Sequence, residues 1–414
     1  MKININRFFD DGQLVMLVYI FFYVFILILL SIALGYDRAF LVLDVPVMSP
    51  AFSDLHVIVA GYESLVNGYD PYSHSEFDPW GRLYNYPRWW LGLGYLGLSH
   101  VNLFFIGCLM VFAYFISAFK LLKGMTKGEG LYCAFVIVSP SSMLAAERGN
   151  VDILIFIILA FTVFLYSSSK YNVKLKTSIL ITAVSILKLY PIFAICVFLK
   201  EKKADFYKVF GVVFVLFLLY LFLSWDDLLD ISNNTPYGVI RMYGSAVLPM
   251  RVFSDFLGMN HDLRPYYHMI GLLIGNGILF FIALFCFLKL KRGRVRFNLE
   301  LFTERHLLVS FRLGVGIFVG TFALGNNWDY RLIFLIFAIP QLLFWYKNCP
   351  EIKRMIFIAL TSILILMQWN FISNETFIRI MLLNELTSWI LVGILVYLFI
   401  LSLPEWFKNK LTLP

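Results

Sequence analysis

Long apolar runs, each of about 20 residues, alternate with short polar segments along almost the entire chain. A run of this length crosses the hydrocarbon core of a bilayer as an α-helix, because a helix rises about 1.5 Å per residue and the core is about 30 Å thick. Of the 414 residues, 60% are hydrophobic and 14% are charged, which leaves too little polar surface for a soluble globule. The sequence therefore predicts an all-α integral membrane protein.

Counting these runs, and accepting shorter ones where two meet at a polar turn, predicts about twelve transmembrane helices. The predicted spans are 14–34, 100–119, 131–145, 150–166, 177–189, 190–200, 206–224, 269–289, 306–323, 331–346, 354–371 and 387–403. The first run is too long for the core of a signal peptide and no small-residue cleavage site follows it, so we expect a retained helix. The sequence shows no internal repeat and no soluble domain, and residues 1–414 are interpreted as one membrane-embedded domain.

The net charge of the chain is +8, and the distribution of its Lys and Arg residues along the sequence indicates the membrane topology. Lys and Arg occur in short bursts between apolar runs, whereas a nucleic-acid-binding protein gathers them on one face, so no nucleic-acid partner is expected. Alternate loops hold most of the 34 Lys and Arg residues, and most acidic residues lie in the opposite set. Because cytoplasmic loops accumulate Lys and Arg, both termini are predicted to be cytoplasmic. Two large loops, 35–99 and 225–268, then face outward.

The first of these loops begins with an amphipathic segment, FSDLHVIVAGYESLV. Apolar residues after Asp54 recur at i, i+3, i+4 and i+7, which predicts a helix that lies flat on the membrane surface. Ser53 is the expected N-cap, and Asp54 then lies in the first turn, where the helix dipole favours a carboxylate. NGYDPY ends this helix, and a second short surface helix is expected after Pro87.

Three further outer turns carry charged residues close to apolar runs, where charges are costly. AAERGNVD places Glu147, Arg148 and Asn150 between two short helices, and GNNWDYR adds Arg331. SILKLYPIF places Lys188 after an apolar run, and the natural partner of such a cation is an anion such as a lipid phosphate.

A purely structural role stays open for each of these residues. In this interpretation Glu147 and Arg148 form an ion pair that stabilises the turn. The side chain of Lys188 extends to the membrane surface, and Arg331 forms an ion pair with Asp329. Asp54 is then only a helix-start residue.

Motifs for other chemistries are absent or lie in the wrong context. GLGYLG matches the glycine pattern of dinucleotide-binding proteins, but it follows an aromatic-rich loop instead of a strand. The five cysteines show no CxxC spacing, so neither a disulfide framework nor a zinc site is predicted. The chain has no HExxH, no GxxxxGK[ST] and no Asp-x-Asp, which argues against a metal-dependent nucleotide-sugar site. No cofactor and no metal ligand are predicted, although a divalent metal requirement stays open.

The chain resembles the polyprenol-dependent GT-C glycosyltransferases, most closely glycosyltransferase family 87 with its mannosyltransferases. The resemblance rests on an aspartate that opens an amphipathic segment ending in NGYDPY, then GNVD at a helix start, then LKLYP, all within residues 54–191. It implies a GT-C-like helical bundle in a bacterial plasma membrane. It also implies an enzyme of cell-envelope polysaccharide biosynthesis that moves a sugar from a polyprenyl-phosphate donor to a hydroxyl of a glycan or glycolipid acceptor on the outer face.

The resemblance also implies roles for individual residues. Asp54 matches the catalytic base of the family, and Lys188 matches its lysine before a Tyr-Pro turn. Because a lipid phosphate is already a good leaving group, the reaction needs one carboxylate to accept a proton and cations to hold the departing charge, and a single displacement inverts the anomeric carbon. On the chemistry of the residues, independently of the resemblance, the expected phosphate-binding residues are Arg148, Lys188 and Arg331. The expected substrate-binding residues are His56, Tyr86, Arg88, Glu147 and Asn150.

Two other functions compete with this one. An O-antigen polymerase or ligase also uses polyprenyl-linked donors and relies on arginines of a late outer loop, such as Arg241, Arg251 and Arg264. A transporter of lipid-linked glycans without chemistry predicts charges along the middle of the bundle and some repeat symmetry, whereas the charges here cluster at outer turns.

Overall fold

The computed structural model describes residues 10–167, 172–236, 238–253, 264–291, 299, 304–368 and 378–411, and most of these residues are helical. The α-helices are α1 (Asp11–Leu34), α2 (Tyr36–Val42), α3 (Ser53–Val66), α4 (Gly92–Tyr95), α5 (Leu103–Leu121), α6 (Lys127–Ile137), α7 (Pro140–Arg148), α8 (Val151–Ser167), α9 (Val173–Leu187), α10 (Lys203–Leu223), α11 (Trp225–Asn234), α12 (Val247–Arg251), α13 (Arg264–Lys291), α14 (Arg305–Ala323), α15 (Ile339–Asn348), α16 (Lys353–Gln368), α17 (Ile378–Leu401) and α18 (Glu405–Leu411). Further 3₁₀ segments are Arg88–Leu91, Tyr190–Lys200, Asp329–Ala338 and Pro350–Ile352, and the short strands are β1 (Met242–Tyr243) and β2 (Asn327–Trp328).

Among the described residues, six helices are long and apolar enough to cross a membrane, namely α1, α5, α10, α13, α14 and α17. The number rises to eight when two bent pairs are each counted as one span: α6 with α7, bent by 44°, and the 329–338 segment with α15, bent by 50°. Within the described residues each of the twelve predicted spans falls on a helical segment, and residues 369–371 of the span 354–371 lie outside that part, but the count of about twelve crossings is not confirmed. The described parts of α8, α9 and α16 have 17, 15 and 16 residues, which is shorter than each of the six long helices.

The outer helices leave most of their apolar side chains at least partly exposed. In α1, Phe21, Phe22 and Ile32 are all exposed, and α5 and α10 show the same pattern. In contrast, most of α14 is buried among other helices. Apolar helices with so much exposed surface are stable only in apolar surroundings, so the chain is a multi-pass membrane protein.

Two 3₁₀ segments pack closely on α14, and small residues of α14 permit the contact. A Cβ atom at Gly314 would lie 2.8 Å from the carbonyl oxygen of Phe334, and one at Gly320 would lie 2.1 Å from the ring of Phe193. Only glycine allows these approaches. As a result, the beginnings of the 190–200 and 329–338 segments lie near the C-terminal end of α14, and these beginnings carry Lys188 and Arg331.

Helix α3 begins at Ser53, one residue earlier than predicted. Phe52 is the N-cap residue, with a left-handed backbone (φ 64°), so the prediction of Ser53 as N-cap was wrong. Tertiary contacts explain the shift, because the Phe52 N–H donates to the Glu147 carbonyl at 2.9 Å and the Phe52 ring fills the space beside Gly107. Asp54 lies in the first turn as predicted. The short helical stretch expected after Pro87 is also present, as the 88–91 segment and α4.

The two large loops contact each other. The Asn234 side chain, at the end of α11, donates to the carbonyls of Tyr72 and Tyr84 at 2.8 and 3.1 Å. Further along the second loop, β1 pairs antiparallel with β2, with Met242 opposite Trp328. The second loop therefore joins the first loop to the segment that carries Arg331.

Candidate active site

Five polar residues from distant parts of the chain form one connected network. Asp54 comes from the first turn of α3, Asn150 from the turn between α7 and α8, Asp152 from the first turn of α8, and Lys188 directly follows α9. Arg331 comes from the 329–338 segment. We call these residues the central network.

Asn150 links the candidate base to the candidate phosphate-binding cation. Its Nδ2 donates to Asp54 Oδ2 at 2.5 Å, and its Oδ1 lies 3.5 Å from Lys188 Nζ. The same Oδ1 accepts the backbone N–H of Asp152 at 2.9 Å, which fixes the amide in this orientation. One side-chain amide therefore separates the carboxylate of Asp54 from the ammonium group of Lys188.

Asp152 holds the two cations of the network. Its carboxylate accepts hydrogen bonds from Lys188 Nζ at 2.5 Å, from the Tyr190 hydroxyl at 2.8 Å and from Arg331 Nε at 3.3 Å. The side chain of Asp152 is fully buried, whereas those of Lys188 and Arg331 are 13% and 16% exposed. Asp152 thus holds both cations from their buried side, and the second carboxylate of the network is that of Asp54, beyond Asn150.

Aromatic rings surround the cations. Lys188 Nζ lies 5.6 Å from the ring centre of Tyr86 and 5.9 Å from that of Tyr330, and the Arg331 guanidinium lies 5.0 Å from that of Tyr190. Such cation–π contacts favour a cation that is only partly hydrated. Burial and the nearby Asp54 carboxylate raise the pKa of Tyr86 well above its usual value, so its hydroxyl stays protonated.

Glu147 and Arg148 form a separate unit beside the network. Glu147 Oε1 accepts the Met48 N–H at 3.1 Å, and Glu147 Oε2 lies 3.3 Å from Arg148 Nε. Arg148 Nη1 lies 3.5 Å from Ser53 Oγ. Among the described residues, Lys188 Nζ bonds to Asn150 and Asp152 and not to Glu147. Glu147 thus holds the chain segment before α3, and Arg148 lies apart from the other two predicted phosphate ligands.

His56 lies on the side of α3 that faces away from the network. Its Nδ1 is 2.9 Å from Nδ1 of His100, and its ring contacts Trp80 edge-on. Burial and the neighbouring His100 lower the pKa of His56 to about 4. His56 is therefore neutral at neutral pH and packs against His100 and Trp80, and its expected role in substrate binding stays a prediction.

We expect His56 to make the protein sensitive to mild acid. Because the pKa in the folded state lies below the ordinary value of 6.5, unfolding takes up a proton, and the free energy of unfolding falls as the pH drops from about 6.5 to about 4. Melting temperatures measured in detergent between about pH 7.5 and pH 5 should fall less in His56→Gln than in the wild-type protein. His74→Gln, in the same loop, is the control. An unchanged pH dependence in His56→Gln would contradict this prediction.

Arg88 also lies outside the network. Its Nε donates to Asp227 at 2.8 Å, its Nη2 lies 3.4 Å from Asp70, and its guanidinium stacks on Tyr72. These contacts are exposed and join the two large loops. The structure therefore places Arg88 between the two large loops, where it forms no hydrogen bond or ion pair with a residue of the central network.

Asp329 does not pair with Arg331. The Asp329 N–H donates to the Arg241 carbonyl at 3.0 Å, and its buried carboxylate interacts with the charges of Arg241 and Arg251. Arg331 instead binds Asp152 and donates to Asn327 Oδ1. The structural alternative of an Asp329 to Arg331 pair was therefore wrong.

Sequence reasoning missed Asp152 as the centre of the network. Its signal was present, since Asp152 is an acid in the first turn of an otherwise apolar helix and belongs to the GNVD motif. Tyr190 had a similar signal beside Lys188. Nothing in the sequence pointed to Arg82, which contacts Asp54 from a loop 28 residues further along the chain.

Within the described ranges, no group of three or more His, Cys, Asp or Glu side chains is arranged to hold a metal ion, and this leaves the metal requirement open. No protein-family model matches the chain, and no solved structure matches it significantly.

Proposed function

We propose that the protein is a GT-C-type glycosyltransferase, similar to family 87, that transfers a sugar from a polyprenyl-phosphate donor to an acceptor hydroxyl on the outer face of the membrane. One observation carries this proposal. The Asp54 carboxylate and the Lys188 and Arg331 cations lie in one network, joined by the Asn150 amide. A carboxylate that can accept a proton therefore lies next to two cations that can bind a phosphate.

The proposed reaction is a single displacement. Asp54 accepts the proton of the acceptor hydroxyl as its oxygen attacks the anomeric carbon of the donor sugar. The bond between that carbon and the phosphate oxygen breaks, and polyprenyl phosphate leaves with the bonding electrons. Lys188 and Arg331 stabilise the charge that develops on the phosphate, Arg331 through its fork of donors and Lys188 as a point charge. Attack opposite to the leaving group inverts the anomeric configuration.

The charges around Asp152 suit a phosphate ligand. Asp152 compensates only one of the two positive charges and is itself inaccessible. Asp54 carries the second negative charge of the network but is separated from Lys188 by Asn150, so a phosphate group would bind on the exposed side of Lys188 and Arg331. Asp54 and Lys188 thus do not form a direct ion pair, and the ion-pair partner of Asp54 is Arg82, with Nη1 3.5 Å from Oδ1.

An apolar cleft supports a donor with a long hydrocarbon chain. Its volume is about 520 Å³, and it lies between the 190–200 segment, α13, α14 and α17. At its edge, Asn276 Nδ2 donates to the carbonyl of Ala323, the last residue of α14. Asn327, which binds Arg331, follows Ala323 by four residues in the chain, and Phe193 of the cleft lies five residues after Lys188.

The contacts of the second-loop arginines argue against the polymerase alternative. Arg241 lies 3.8 Å from Asp44, and Arg251 lies 3.5 Å from Glu385 in a buried pair. Their charges are compensated by carboxylates of the protein, which weakens them as ligands for a diphosphate. The side chain of Arg264 lies outside the described residues.

The proposal predicts that Lys188 and Arg331 determine donor affinity. Purified protein in nanodiscs should consume one member of a panel of polyprenyl-phosphate hexoses and release polyprenyl phosphate when membrane glycolipid is added. Lys188→Met and Arg331→Met should each weaken binding of that donor about tenfold or more, because a hydrogen bond to a charged group contributes about 1.5–3 kcal/mol.

Lys174→Met is the matched control for this experiment. Lys174 lies at the other end of α9 and, like Lys188, contacts carboxylates, those of Glu201 and Asp205, both at 2.8 Å. Donor binding should not change in this variant. Equal affinities in Lys188→Met and Lys174→Met would rule out the phosphate site, and a panel with no consumed donor would rule out the transferase.

A further inference from the structure

Arg82 contacts Asp54 from the side opposite to Asn150. Its Nη1 lies 3.5 Å from Asp54 Oδ1, whereas Asn150 Nδ2 donates to Asp54 Oδ2. The two oxygens of the candidate base are therefore held by two different residues. Asn150 belongs to the central network, but Arg82 belongs to the first loop, and nothing derived above gives it a role.

The guanidinium of Arg82 is fixed by contacts on several sides. Its Nε and Nη2 donate to the two oxygens of Asp78 at 3.2 and 3.0 Å, and Nη2 also donates to the Ser53 carbonyl at 2.7 Å. Its face stacks on Trp80, with 4.6 Å between the guanidinium carbon and the ring centre. A planar group held along one edge and on one face has little freedom left, so the direction of Nη1 is determined.

Asp78 is itself a rigid anchor. Its carboxylate accepts the backbone N–H groups of Trp80 and Arg82 at 3.1 and 2.9 Å, in addition to the Arg82 side chain. The Asp78 side chain is only 1% exposed. These bonds close the 78–82 turn on itself, and the turn carries the guanidinium to the start of α3.

We propose that Arg82 is a positioning residue that orients the Asp54 carboxylate for proton transfer. This inference rests on the proposed function. Without Arg82, the side chain of Asp54 is held at one oxygen only and rotates about the bond to its carboxylate. The distance of 3.5 Å is long for a hydrogen bond, so Arg82 directs Oδ1 without occupying it, and the oxygen stays available to the acceptor's proton.

A purely structural role is the competing explanation, since Arg82 also fastens the loop to α3 through Ser53. The two roles differ in their kinetic effects. Loss of orientation at the base lowers kcat and leaves donor binding intact, because Lys188 and Arg331 are unaffected. Loss of loop structure lowers the melting temperature and changes binding as well.

The test compares Arg82→Gln, Arg82→Lys and Arg38→Gln in the purified full-length protein with the donor identified by the panel. Arg38 lies in the same loop, in α2, so its replacement removes the same charge away from Asp54. We expect Arg82→Gln to lower kcat about 10- to 100-fold with a donor KM within about twofold of wild type. Arg82→Lys should recover part of kcat, and Arg38→Gln should match the wild-type protein.

A double substitution separates positioning from structure. If Arg82 acts through Asp54, Arg82→Gln should cause no further loss in the Asp54→Asn protein, whose residual rate is measured at high enzyme concentration. An equal loss in both backgrounds would overturn the inference. If Arg82→Gln does not fold, Asp78→Asn keeps the guanidinium but removes its anchor, and the same loss of kcat is expected.

Failure of this inference is distinguishable from failure of the proposed function. Wild-type kcat in Arg82→Gln, together with an inactive Asp54→Asn protein, would overturn the positioning role alone. Wild-type activity in both variants would overturn the proposed function.

Discussion

Replacing Asp54 with asparagine is expected to lower the rate of sugar transfer by about 10²- to 10⁴-fold, the usual contribution of a general base. Asparagine has nearly the same shape and keeps an oxygen that accepts the Asn150 amide, but it cannot take up the acceptor's proton. Because Lys188 and Arg331 are unchanged, donor affinity should stay within about twofold of wild type. The measurement is kcat from release of polyprenyl phosphate, with donor binding measured separately.

Glu63→Gln is the matched control, since Glu63 also lies on α3 but contacts His100 at 3.3 Å, away from the network. It should retain wild-type activity. Full activity of Asp54→Asn would refute the assignment of the base, and an inactive Arg251→Ala protein would then favour the polymerase. Donor binding without turnover in Asp54→Asn would also count against a transporter without chemistry.

Replacing Asp152 with asparagine is expected to destabilise the fold by about 3–5 kcal/mol, the range for breaking a buried ion pair on one side. Lys188 and Arg331 would then lie beside each other with no buried counter-charge, and the Tyr190 hydroxyl would lose its charged acceptor. Denaturant unfolding in detergent, followed by tryptophan fluorescence, measures the change. The loss should exceed that of any exposed acid in the chain.

A second substitution tests the cause of this loss. Adding Lys188→Met to Asp152→Asn removes one of the two uncompensated cations and should recover part of the stability. Asp205→Asn, which removes an exposed partner of Lys174, should cause no measurable change. Wild-type stability of Asp152→Asn would show that the carboxylate is not needed to hold the two cations.

Much of the helical architecture could be predicted because the bilayer imposes a simple length rule. Within the described residues each predicted span falls on a helical segment, and the short spans predicted between residues 131 and 200 correspond to short helices such as α9, with 15 residues. Hydropathy records the apolar length of a segment. It does not record whether neighbouring segments bend, as between α6 and α7, or end inside the protein.

The candidate site could be predicted in part. Asn150 and Lys188 were chosen because polar groups beside apolar runs are costly, and Asp54 because it opens the amphipathic segment and matches the base of the family that the chain resembles; the structure brings all three together. Arg148 was chosen by the same reasoning but lies beside Ser53. Both choices follow from local cost, which is equal for a residue that binds substrate and for one that holds a loop.

The amino-acid pattern alone determined that the chain lies in a membrane and that most of its charged groups lie where apolar runs end, with Arg312 inside α14 as an exception. Both follow from the free energy of placing charges in hydrocarbon, which acts on each segment separately. Only the tertiary structure decided which acid each cation binds. Arg331, for example, binds Asp152, 179 residues away in the chain, and not Asp329, which is two residues away. Ion pairing depends on distances of a few ångströms between segments, and only the packing of the helices sets those distances.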